Sequence, residues 1–154
     1  MTNKEMVHHY TTEKHHLPLI LASRALLPSN AGAENEPPLL WFSKAQFWEK
    51  TATKMVQGEH GLRLLTFSEQ LAKFGCVRFS LASDDPRLMN WVSACRYAGI
   101  TSTVRRKLET EGKKRGGSPI DWFAISGAIQ LTEVRLQRYD GSQWVNSTSP
   151  DAGT

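Results

Sequence analysis

Four histidines fall within nine residues, as His8-His9 and His15-His16, and imidazole is the side chain that most often holds a transition metal or moves a proton near neutral pH. A closed zinc site needs ligands fixed on facing elements, usually with a Cys or a carboxylate among them. His8 and His9 lie in Val7-His8-His9-Tyr10-Thr11-Thr12, a run that reads as a strand, and neighbours on a strand point to opposite faces. At most one of the two faces any given site. No metal is expected, and the ordinary outcome is one core histidine with the others exposed.

Other chemistry-bearing groups recur where strands are expected to end. Leu39-Leu40-Trp41-Phe42-Ser43 is a second apolar run, leading into Phe47-Trp48-Glu49-Lys50-Thr51-Ala52. Side chains at strand ends are held rigidly, and a nucleotide-sized ligand can be gripped there. Two carboxylates, Asp121 and Glu133, sit at or near the strands expected at the end of the chain. Arg78, within Val77-Arg78-Phe79, is a strand-borne cation that can pair with phosphate. The segment 101–120 holds Arg105, Arg106, Lys107, Lys113, Lys114 and Arg115 against only Glu109 and Glu111, so it carries the whole net charge of +4. Such a patch attracts phosphates and acidic surfaces.

The elements that must position these groups follow from spacing and punctuation. The first strand is expected to run into a helix from Glu13 to Leu27, with Thr11 or Thr12 as its cap and Leu17, Ile20, Leu21, Leu26 and Leu27 on its apolar face. Pro28 to Pro38 reads as a loop. After the second strand, Trp48, Thr51, Ala52 and Met55 fit one face of a short helix or loop. Strands are expected over 62–67 and 76–81, separated by a helix capped by Ser68 and stopped by Gly75. The clearest helix begins at Asp84 or Asp85 with Pro86 in its first turn and buries Leu88, Trp91, Val92, Cys95 and Ala98. A basic helix over 102–111 and a Gly-containing loop over 112–118 precede closing strands at 120–126, 129–136 and 144–145. Their short connections favour antiparallel pairing.

The 154 residues and 40% hydrophobic fraction suit one folded domain, here 6–146, with residues 1–5 and 147–154 as disordered ends. Two cysteines, Cys76 and Cys95, are too few for a disulfide framework. No apolar run approaches membrane-spanning length. The apolar stretch from Leu17 to Ala22 is cut by Arg24 and preceded by Glu5 and Glu13, unlike a secretory leader. A cytoplasmic protein is expected.

Three of these segments together resemble the ADP-ribosyltransferase superfamily of the His-Tyr-Glu type. His9-Tyr10-Thr11 followed by Leu17, Ile20, Leu21 and Leu26 is similar to its strand-end histidine and following helix, with Arg24-Ala25 where a Gly is usual. Trp41-Phe42-Ser43 and Lys50-Thr51-Ala52 stand where that family has Tyr-Phe-Ala and Lys-Ser-Ala. Asp121-Trp122-Phe123-Ala124-Ile125, with Ile129-Gln130 following, resembles its catalytic strand, with Asp in place of Glu.

The resemblance implies an α+β domain with a split, mainly antiparallel sheet flanked by helices, and NAD as substrate without a metal. His9, with Tyr10 and Thr11 beside it, would hold the ribose; Trp41 or Trp48 would stack on nicotinamide, and Ser43 and Thr51 would line the pocket. Asp121, with Glu133 as rival, would stabilise the oxocarbenium-like charge formed as the N-glycosidic bond breaks. ADP-ribose would pass to water or to a protein or nucleic acid acceptor docked on the basic segment 105–115. Toxin, phage-type effector and RNA-processing roles all fit such an enzyme. The rival expectations are a non-catalytic binding module using that basic segment, and a ligand-free structural or inhibitor protein.

Overall fold

Val7, His9 and Thr11 alternate with His8, Tyr10 and Thr12 in β1 (Met6–Thr12), the period-two pattern of a strand, and pairing on both sides makes it the middle strand of the sheet. In the computed structural model, which describes residues 5–29 and 37–147, β1 pairs along its whole length with β6 (Cys76–Ala82), from Met6 opposite Ala82 to Thr12 opposite Cys76. On its other side β1 meets β3 (Leu40–Ser43) at a single register pair, His8 with Ser43. The remaining strands extend both halves: β10 (Arg135–Tyr139) and β11 (Trp144–Asn146) beyond β6, and β8 (Trp122–Ile125) and β7 (Met89–Asn90) beyond β3. The order is β11-β10-β6-β1-β3-β8-β7, with every pair antiparallel. The seven strands thus form two well-paired groups that diverge at the β1–β3 seam.

One face carries the main core, in which Val7, Leu40, Phe42, Val77, Phe79, Leu81, Ile125 and Leu136 pack together. Leu26 and Ile129 close it from a second, two-stranded sheet, β2 (Ala25–Leu26) with β9 (Ile129–Gln130). Leu17 and Ile20 of α1 (Leu17–Ser23) pack against it. The opposite face is covered in two places. Over one half, Tyr10, Trp48 and Cys76 pack with Phe67 and Leu71 of α2 (Phe67–Phe74). Over the other, Ala94 and Ala98 of α3 (Trp91–Ala98) pack on Leu39 and Ala124. The basic helix α4 (Ser102–Lys114), capped by Thr101, follows. A hairpin of β4 (Met55–Gly58) and β5 (Gly61–Leu64) stands apart from the main sheet.

Several expected boundaries move, each for a local reason. The first helix spans only 17–23, because Arg24 adopts a left-handed conformation (φ 58°) and Ala25–Leu26 turn into β2. Asp84 and Asp85 cap no helix; Asp85 instead binds Arg87, and Asn90 caps α3 through Ser93 N–H. Val92 is exposed rather than core. Thr66, not Ser68, caps α2, in a reciprocal capping box with Glu69. The basic helix continues to Lys114, past the expected loop start at Gly112. Residues 129–136 are not one strand, since Leu131–Glu133 form a 3-10 turn. At the ends, Glu5 carbonyl accepts from Ser83 N–H and Ser147 N–H donates to Leu136, so both belong to the folded domain. The expectations for 1–4, 148–154 and the loop segment 30–36 lie outside the described residues.

Candidate functional site

Where β1 and β3 part, a cavity of about 860 Å³ opens between the sheet, α3 and α4. His9, Tyr10, Trp41, Ser43 and Thr51 all border it, so most of the binding residues expected from the sequence converge here; His8 borders it too, against the expectation that only one of the two histidines would meet a site. Trp91 and Trp122 complete an aromatic wall, with ring centroids 5.7 Å from Trp41 to Trp91 and 5.0 Å from Trp91 to Trp122. From α4, Val104, Leu108, Glu111, Gly112 and Arg115 form the facing side. A Cβ at Gly112 would come within 2.3 Å of the Trp122 ring, so only glycine lets helix and ring approach this closely.

The buried carboxylate of the cavity is Glu49, which is 8% exposed. It caps the 3-10 turn Lys50–Ala52, accepting from Thr51 N–H at 3.0 Å and Thr51 Oγ1 at 2.5 Å. Ser43 Oγ donates to it at 2.8 Å and Trp122 Nε1 at 3.2 Å. Both oxygens are used as acceptors, which fixes the carboxylate rigidly with no cationic partner among the described residues.

The two expected carboxylates lie elsewhere. Asp121 stands one residue before Trp122, outside the cavity lining, and its carbonyl accepts from Lys44 N–H. Glu133, expected within a strand, closes the 3-10 turn, receives Gln130 N–H at 3.1 Å and pairs with Arg87 at 3.2 Å. Trp48 is core: Tyr10 and Phe67 pack on it, Nε1 donates to Thr53, and it does not border the cavity. Thr11 pairs with Val77 in the sheet and is also outside the lining. Arg78 is 8% exposed and committed to Gln137, Tyr10 hydroxyl and Gln46 carbonyl, with Trp144 stacked 4.4 Å away. Through Nε and Nη1 it ties β1, β10 and the 44–48 loop together, and it does not border the cavity, so it is not placed to meet a ligand there.

The histidine protons follow from their partners. Gln46 Nε2 is spent on the Met6 and Lys44 carbonyls, so its Oε1 accepts from His8 Nε2–H at 3.0 Å, leaving His8 Nδ1 to accept from Ser80 at 2.7 Å. His9 Nδ1–H donates to the Trp41 carbonyl at 2.7 Å. Its Nε2 is then a bare lone pair, with no protein donor among the described residues. Burial lowers the His8 pKa to about 4, the Gln46 bond opposing and Arg78 adding to it. Burial also lowers that of His9, partly offset by the Trp41 bond. Among the described residues no three His, Cys, Asp or Glu side chains group to hold a metal.

These neutral imidazoles make stability pH-dependent with a definite sign. From the ordinary 6.5 down to about 4, the unfolded chain takes a proton that folded His8 refuses. Stability is full above that window and falls as pH drops through it. The urea midpoint is therefore expected to fall from neutral pH to about pH 5, and less steeply in His8→Gln; equal slopes for the two proteins would contradict the assignment.

Glu49 was not anticipated because its neighbours in sequence, Trp48 and Lys50, give no sign of Trp122, 73 residues away. The signal available was local: two hydroxyls, Ser43 at the end of β3 and Thr51 in the following 3-10 turn, lie close to Glu49 in sequence. No protein-family model, curated protein or solved structure matches the chain.

Proposed function

We propose that the chain is an ADP-ribosyltransferase-like enzyme that binds NAD at the β1–β3 seam and cleaves its nicotinamide N-glycosidic bond. One observation carries the reading: a buried carboxylate, Glu49, held by four donors beside a wall of three tryptophans. Nicotinamide in NAD is a flat cation, and an indole face attracts such a ring by stacking and by its quadrupole. As the bond stretches, positive charge moves onto the ribose, and a preorganised carboxylate stabilises it with no reorganisation at that moment. Glu49 takes the role first expected of Asp121 or Glu133. The bare Nε2 of His9 accepts a ribose hydroxyl, while Ser43 and Thr51 act by holding Glu49. ADP-ribose then passes to water or to a macromolecular acceptor. The two cysteines, both free and buried, fit a reducing, cytoplasmic setting, in which a toxin or phage-type effector would act.

The test is release of free nicotinamide from NAD. His9→Ala, shown folded by circular dichroism, is expected to raise KM on the order of tenfold, the worth of one hydrogen bond to substrate. A wild-type protein that neither releases nicotinamide nor binds NAD sinks the reading.

A second reading has its own support. Arg106, Lys107 and Lys113 on α4 are exposed and have no carboxylate partner among the described residues. That face would dock a nucleic acid or acidic protein, either as acceptor or as the sole ligand of a non-catalytic module. Binding that weakens steeply with salt, with no response to NAD, would favour the module. Among the described residues no helix is long and apolar enough to cross a membrane.

A further inference from the structure

We infer that Arg115 and Lys50 form a diphosphate clamp at the Glu49 end of the cavity, so that the site selects dinucleotides over nucleosides. The inference rests on the NAD reading for the orientation of the ligand, but not for the clamp chemistry. Arg115 borders the cavity, and its guanidinium is weakly engaged: Nη1 reaches the Thr51 carbonyl at 3.4 Å and Nη2 the Met55 sulfur at 3.2 Å. Thioether sulfur is a poor acceptor, and a guanidinium has five donors in a fork that matches phosphate oxygens. Among the described residues no carboxylate pairs with Arg115 or with Lys50.

The backbone brings the two cations together. Gly116 follows Arg115 at φ +95°, and a Cβ there would come within 2.7 Å of Lys50 Cδ, so the lysine stem lies directly on the glycine. Thr51 separates the pair from Glu49 by one side chain, since its carbonyl receives Arg115 and its hydroxyl donates to the carboxylate. In a dinucleotide the diphosphate is the next group along from the reacting ribose. With Glu49 at the ribose, the diphosphate meets Arg115 on the cavity wall, and Lys50, exposed just outside the lining against Gly116, stands beside it as the second cation. Arg78, the other candidate cation, is closed off in the aromatic cluster.

Binding of ADP-ribose, followed by calorimetry, tests the clamp without requiring turnover, with adenosine as the phosphate-free control. Arg115→Ala is expected to weaken ADP-ribose at least tenfold and Lys50→Ala severalfold, with adenosine unchanged and Arg115→Lys intermediate. The wild-type affinity should fall as salt rises. An Arg115→Ala protein of unchanged thermal midpoint that binds ADP-ribose like wild type overturns the proposal. So does a wild type that binds ADP-ribose no better than adenosine. The nicotinamide assay separates the two claims. Cleavage of NAD with the same KM in Arg115→Ala removes the clamp and leaves the enzyme; loss of ADP-ribose binding in a protein that never cleaves NAD leaves the clamp and removes the reaction.

Discussion

Glu49→Gln is expected to lower kcat for nicotinamide release on the order of a thousandfold, the usual scale for deleting one preorganised charge-stabilising group. The side chain keeps its size, but its NH2 must face one of two donor pairs, Ser43 with Trp122 on one oxygen position or the Thr51 N–H and hydroxyl on the other, all of which donate to Glu49 in the native protein. One donor facing another costs about 1–3 kcal/mol, so a lowered melting midpoint should accompany the loss. The decisive comparison is with Asp121→Asn and Glu133→Gln, measured at a temperature where all three are folded. Both should retain wild-type kcat, because neither carboxylate borders the cavity. Activity lost in Asp121→Asn and kept in Glu49→Gln would return the catalytic role to Asp121.

Phe79→Ala should be the most destabilising single truncation, by about 3–5 kcal/mol. Phe79 is 1% exposed and lies in β6 opposite His9 on one side and Leu136 on the other. Its removal opens a void that neither paired strand can close, and that is a large fraction of the roughly 5–15 kcal/mol available to a domain. Ile120, 82% exposed, is the control, and Ile120→Ala should change stability by less than about 0.5 kcal/mol. Urea unfolding of both variants decides it: a Phe79→Ala midpoint close to wild type would mean the core is held mainly elsewhere.

The strands were the legible part of the chain. β1, β3, β6 and β8 all fall where alternation and apolar runs put them, while short connections pointed to antiparallel pairing only among the closing strands; the main sheet is antiparallel throughout. Helix ends were less so. Apolar residues at 17, 20, 21, 26 and 27 satisfy a helix period, yet Leu26 pairs with Ile129, a partner that only tertiary structure supplies. Asp85 and Pro86 mimic a helix start, but the Arg87 guanidinium draws the carboxylate into a turn.

The site divides the same way. Strand-borne His9, Trp41 and Ser43 were readable because a strand fixes both their place and their direction, although only Ser43 stands at a strand end; His9 lies in the middle of β1. The carboxylate was not, because Glu49 comes from an irregular segment whose conformation is set by its own hydrogen bonds to Thr51 and by the distant Trp122. Trp48 carried the same aromatic signal as Trp41, and only packing against Tyr10 and Phe67 separates a core ring from a cavity wall.

The strand order also bears on how the chain reaches this state. β1 is flanked by β6, so that His9 faces Phe79, and β3 by β8, so that Leu40 faces Ile125. The two N-terminal strands therefore wait for partners roughly half a chain away, and their loop-closure entropy is spent before any long-range contact repays it. On a ribosome, β1 and β3 emerge early as unpaired apolar edges, and the β3–β8–β7 group cannot close until Ile125 has been made. Slow, late folding follows, with the β1–β3 seam among the last features to form.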